Sequence, residues 1–437
     1  MSAQSPAWIA AARIVRRSGF GATGRAVDAA VRLGTAGYLE QVLGSTGADP
    51  GASATPVPRF PAIPAAGRNA GRADKLARNQ AAREQLRTLT AWWVRRMVAV
   101  HQPWPEKRTF CWHDHFATAA TKVRRATLMA QQNETLRDLG QRDFRTLAQA
   151  ILVDPAMLDW LDGEKNTVQG ANENLSREFM ELFALGHGDG YTETDVREGA
   201  RALTGWRIAA DGSSRLRPAL HDQGSKTVLG VTGNLDQAGY CDAVLGRPES
   251  ARFVCASLWR QYVSDTGPDQ PTLDRLVAAY GAGRQLTGLF TALFTDPGFA
   301  QAANSFVVGP VDWLIGAVRA LRVPVADDAA ALKLATVLRG LGQLPLYPPN
   351  VSGWPSGQAW LSTAAADLRM TAAADLAKAG DLSFVTAAAA GDRIDAVGYL
   401  LGIGRWSDRS SAALKPAVGN PERLVTIALN APEYLVQ

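Results

Sequence analysis

Asn172-Glu173-Asn174-Leu175-Ser176-Arg177-Glu178-Phe179-Met180-Glu181-Leu182-Phe183-Ala184-Leu185-Gly186 decides the fold class. Leu175, Phe179, Leu182 and Phe183 recur at three- and four-residue spacings, the apolar stripe of an amphipathic helix. Asn172 or Asn174 can cap its start, although neither has the Glu or Gln three residues on that a reciprocal capping box needs. Gly186 can end it, because glycine tolerates the left-handed backbone common past a helix. Glu178 and Glu181 share one face, and Glu173 can pair with Arg177 one turn on.

Outward from this stretch the helical pattern continues. Thr192 and Asp195 fit a capping box, opening a helix that runs through Arg201 towards Trp206. Asp211-Gly212 then marks a turn between short extended stretches, predicting a β-hairpin near residues 206–217. On the other side, residues 24–44, about 72–100, about 106–139 and 143–162 read as helices, with Trp92, Trp93 and Met97 on a buried face. Pro50, Pro56, Pro58, Pro61 and Pro64 argue against a helix and predict an extended connector over 50–66. Helical patterns recur from about 235 to 430, interrupted by the Pro-, Gly- and Trp-rich residues 344–362. The expected fold is all-α: a large multi-helix single body with a small β-hairpin insert. Its expected parts are N-terminal helices over 1–49, the connector over 50–66 and a main helical domain over 67–437.

Composition removes several classes of function. The 437 residues carry 46 Lys and Arg against 41 Asp and Glu, a net charge of +5 that does not call for nucleic acid. No apolar run reaches the roughly 18 residues of a membrane span. Cys111, Cys241 and Cys255 form no CxxC pair, which disfavours a disulfide framework or a Cys-rich zinc site. Arg16-Arg17 is followed by a Gly-rich stretch instead of an apolar one, so the expected location is cytoplasmic, with export bound to a partner as the other route.

The candidate chemistry lies in polar segments. Two carboxylates on one face, Glu178 and Glu181, need a cation or water between them, and Arg201 is a candidate partner. Their ordinary reading is a salt-bridged helix, and the functional one is a metal or acid–base pair. His113-Asp114-His115 could bind one ion from an extended segment. On a helix the two imidazoles point about 200° apart, and one of them is then structural. His221-Asp222-Gln223-Gly224-Ser225-Lys226 is a polar turn that could touch an anionic ligand, but it lacks the glycine of a phosphate loop. The Gly188-Asp189-Gly190 loop lacks the twelve-residue EF-hand pattern. Trp354 and Trp360 can stack on a sugar, clamp a partner or plug the core.

Together these stretches resemble one bacterial family, the domain of unknown function DUF 1800. Arg16 to Thr23, Trp112-His113-Asp114-His115-Phe116, Asn172 to Leu185, Tyr191 to Trp206, His221-Asp222 with Lys226, Pro348 to Pro355 and Ala431 to Tyr434 carry the resemblance. Phe183 stands where the family often has His, and Asp114 where it usually has Asn. The resemblance names no activity. It implies a sulfatase- or phosphatase-like partner protein and a shared anionic or sulfated substrate.

Two functions are therefore expected. In one, Glu178, Glu181, His113, His115, His221 and Asp222 converge as acid–base groups, with one divalent metal ion as a candidate cofactor. Arg177, Arg201 and Lys226 then hold an anionic substrate, and the site is hydrolase-like or anion-binding. In the other, the chain is a non-catalytic scaffold, binding such a partner or a glycan through Trp354 and Trp360.

Overall fold

The computed structural model describes residues 4–44, 48–63, 71–188, 190–301 and 303–437. The described residues are 64% helical, and they hold two small two-stranded antiparallel sheets. Asp189 and the connector residues from Pro64 lie outside the described residues.

The first helix, α1 (Pro6–Arg17), is capped by Ser5, whose side chain accepts from the Trp8 amide. Its last residue, Arg17, is buried and donates to the carbonyls of Tyr262 and Val263, which ties it to a helix end far along the chain. Next comes α2 (Gly24–Leu43), which breaks at Gly34, where φ 68 and ψ 165 are a glycine conformation. The expected connector begins instead with a short helix, α3 (Pro50–Ala54). Proline is harmless at a first helical position, and Asp49 accepts from the Ala52 amide to cap it.

The long α4 (Arg72–Ala99) buries Trp92, Trp93 and Met97 as expected, with Leu89 beside them, and lies along the helix Asp328–Gly340. It meets α5 (Trp104–His115) through the buried Glu106, which accepts from Arg96, Arg137 and the Trp93 indole. Removing the carboxylate would take the shared counter-charge from the buried Arg137 and the part-buried Arg96, a loss of roughly 3–5 kcal/mol.

The expected hairpin is present as β1 (Trp206–Ile208) and β2 (Ser214–Leu216), with Trp206 opposite Leu216. A second hairpin, β3 (Lys226–Val228) and β4 (Val231–Gly233), is additional. Its turn sets Leu229 at φ 51 before Gly230 at φ 85. Leucine is a poor residue for that conformation, so the turn carries no signal in the sequence. No helix of the described residues is long and apolar enough to cross a membrane.

Two hydrophobic cores meet along α5. One gathers α4 with the helices Pro310–Ala320, Asp328–Gly340 and Pro421–Ala428, and takes Phe110 from α5. The other gathers the helices Phe144–Leu152, Pro248–Tyr262 and Leu286–Thr295, and takes Trp104, Cys111, Trp112 and Phe116.

Candidate functional site

Because α5 stays helical through His115, its two histidines leave it in different directions. His113 is 1% exposed and lies against the rings of Trp93 and Trp354. Its Nε2 has no partner, and burial pushes the imidazole down to about 3, so it is neutral. His115 turns towards the other core, where Nε2–H donates to the Phe183 carbonyl at 2.9 Å. Burial likewise pushes it down to about 4. The extended HxH arrangement does not form.

Between them, Asp114 holds the Trp-bearing loop. One carboxylate oxygen accepts from the Trp354 amide at 2.7 Å, and the other from the Gln261 side chain at 2.6 Å. Burial pushes its carboxyl up to about 6, against the lowering effect of both hydrogen bonds. Gly353 has φ 85, and a Cβ there would lie 2.3 Å from the Asp114 Oδ1 atom. Only glycine lets the loop come this close.

A pocket of about 290 Å³ opens at this junction, on the seam between the two cores. Asp114, His115 and Leu182 line it from one side, and Phe306, Asp312, Gln343, Trp354 and Trp360 from the other. Lys107 is ion-paired with Asp312, whose other oxygen is buried without a partner. The Trp354 indole nitrogen is also buried and unpartnered. Arg260, at the exposed edge, makes no ion pair among the described residues. Asp265, also at the edge, accepts from the Val307 amide.

The charged helices of residues 173–228 are arranged differently, and none of their expected site residues lines this pocket. Arg177 is held by Glu193 at 2.7 Å and Glu173 at 3.0 Å. Arg201 does not reach Glu178 or Glu181; it binds Glu198 and Asp222, each within 2.8 Å. Lys226 is buried and donates to the Asp222 carbonyl and to Asn234. His221 is buried, with Nδ1–H donating to the Thr204 carbonyl, while the Asp222 amide donates to the Thr204 hydroxyl. Glu181 takes His187 at 2.7 Å, and Glu178 is raised by burial and by Glu181 beside it.

The helix carrying Glu178 runs only from Asn174 before widening into a π-helix, Phe179–Ala184. Asn172 accepts from the Asn174 amide two residues on, so it shapes a turn ahead of the helix instead of capping it. The Thr192–Asp195 capping box is formed as expected.

The expected convergence thus divides. His115, Trp354 and Trp360 share the pocket, His113 backs it, and Glu178, Glu181, His221, Asp222, Arg177, Arg201 and Lys226 stand outside. Trp354 and Trp360 are 6% and 5% exposed, so both rings also fill core space. Among the described residues no group of three His, Cys, Asp or Glu side chains could hold a metal ion. Asp312, Lys107, Gln261 and Gln343 carry no signal in the sequence, and Asp114 is marked there only as a departure from the family's usual Asn. Only Asp114 lay inside a segment that drew notice.

A family model described as Protein of unknown function (DUF1800) matches residues 13–436, so the chain belongs to that family. No curated protein and no solved structure matches it.

Proposed function

We propose that this member of the DUF1800 family binds a small hydroxyl-rich ligand, a sugar unit or the end of a glycan, in the pocket between α5 and residues 350–360. One observation carries the reading: two residues lining the pocket hold buried polar atoms without partners, the acceptor Asp312 Oδ1 and the donor Trp354 Nε1. Buried polar atoms are seldom left unsatisfied, and a hydroxyl both donates and accepts. Amide groups of Gln261 and Gln343 add further partners, and Phe306, Trp354 and Trp360 offer apolar walls for a sugar's C–H faces. The volume is close to the small end of ligand pockets, roughly 300–1,000 Å³.

Arg177, Arg201 and Lys226 are committed to internal partners, which shifts the expected anion contact to Arg260. A sulfated or acidic substituent would find its cation there. The sulfatase- or phosphatase-like partner implied by the family resemblance would then act on the same ligand. A second, hydrolase-like reading rests on Asp114: with its carboxyl near 6, it holds or gives up a proton close to neutral pH.

Calorimetric titration with neutral and sulfated monosaccharides tests the binding. The wild type binds, Ser257→Phe, at another residue lining the pocket, fills it and abolishes binding, and Arg260→Gln weakens only the sulfated sugars. Absence of binding by every sugar, or binding that survives Ser257→Phe, overturns the proposal.

A further inference from the structure

A second and larger cleft, about 550 Å³, shares no lining residue with the polar pocket. Ser18 and residues 20–26, a stretch the proposed function leaves unused, line it. Two glycines let the walls close in. A Cβ on Gly21 would lie 3.0 Å from the Cα of Gly316, and one on Gly24 would lie 2.4 Å from the Tyr399 ring. The break at Gly34 bends α2 around the space, so Arg25, Ala29 and Leu33 line it from one half and Tyr38, Gln41 and Val42 from the other.

The lining is apolar in its body and basic at one end. Phe20, Leu33, Trp104, Phe384 and Leu400 supply the apolar surface. Leu33 and Phe384 are 47% and 45% exposed, apolar surface left open along the cleft. Among the lining residues Arg25, Arg319 and Arg322 stand against one carboxylate, Asp381. Arg319 is used internally, donating to the carbonyls of Met97, Val98 and Val100 at the end of α4. Arg322 stands 3.6 Å from Asp381, and Arg25 acts on that same carboxylate while making no ion pair among the described residues. With Asp28, which accepts from the Tyr399 hydroxyl beside Arg25 and Arg32, this end sets Arg25, Arg32 and Arg322 against Asp28 and Asp381, one guanidinium in surplus.

We propose that the cleft binds an amphipathic carboxylate, its apolar body along Phe20, Leu33, Trp104 and Phe384 and its head between Arg25 and Arg322. The apolar contacts supply most of the affinity through area removed from water, and the paired arginines choose the head group.

Isothermal titration with dodecanoate and, as the uncharged control, dodecanol tests both halves. The wild type is expected to bind dodecanoate about ten-fold more tightly than dodecanol, the step a charge-assisted contact supplies. The Arg25→Gln/Arg322→Gln variant, both sites being exposed, is expected to bind the two alike. Ala29→Trp is expected to abolish both while circular dichroism is unchanged. Should Ala29→Trp fail to fold, Leu33→Asn at the exposed rim weakens both several-fold. Failure of dodecanoate to bind the wild type, equal binding of acid and alcohol, or binding indifferent to the Ala29 and Leu33 variants overturns the assignment.

Discussion

The helices of residues 173–228 and the pocket beside α5 use the same kinds of side chain to opposite ends. In residues 173–228 every expected cation has found its partner: Arg177 has two glutamates, Arg201 has Glu198 and Asp222, and Lys226, at the start of β3, has a carbonyl and an amide oxygen. In the pocket, Asp312 and Trp354 each keep a buried polar atom unpaired, and Asp114 is held near 6. Density of charge along the sequence therefore marks where the chain binds itself. The two polar atoms left unsatisfied beside the pocket mark the proposed place for a ligand.

The contrast can be broken most forcibly at Gly353. Gly353→Ala forces a Cβ into the Asp114 carboxylate at φ 85, and calorimetric melting is expected to show a loss of about 2–4 kcal/mol. An unchanged melting temperature would mean that the Trp354 loop is not pinned to α5.

Asp114→Asn comes next and is read as a slope. The folded carboxyl titrates near 6 and the unfolded one near its ordinary value of about 4. Between those values the folded state holds a proton that the unfolded chain has lost, so the wild type loses stability as pH rises through that window. Asparagine does not titrate. The stability of Asp114→Asn relative to the wild type should therefore rise by about 2 kcal/mol from pH ~4 to pH ~7, measured by urea unfolding. A constant difference would contradict the buried carboxyl.

Smaller effects are expected on the helices. Arg201→Gln should cost about 1 kcal/mol, because its partners are part-exposed and screened by water, and sugar binding should be untouched. Arg177→Gln should lower the melting temperature only slightly, and added salt should erase the difference. Loss of ligand binding in either variant would return the site to the charged helices.

What the sequence disclosed follows from distance along the chain. The stripe from Leu175 to Phe183, the Thr192–Asp195 box and the Asp211-Gly212 hairpin are local patterns, and all three are in the fold. The π-helical turn over 179–184 and the Leu229-Gly230 turn follow no local rule, so neither was readable. His113 and His115 could share a ligand only on an extended segment, and the helix through them removes that option. The pocket was hidden for another reason. Lys107 meets Asp312 across 205 residues and Asp114 meets Trp354 across 240, contacts that no spacing pattern encodes.

Fluorine NMR of fluorotryptophan-labelled protein, with Trp354 assigned through Trp354→Phe, tests the central claim most directly. On titration with a sugar that binds, the Trp354 resonance is predicted to move saturably as its indole N–H gains a partner, and Arg201→Gln is predicted to leave that response intact. A Trp354 signal that stays fixed while the sugar binds, or a response that vanishes with Arg201, would contradict it.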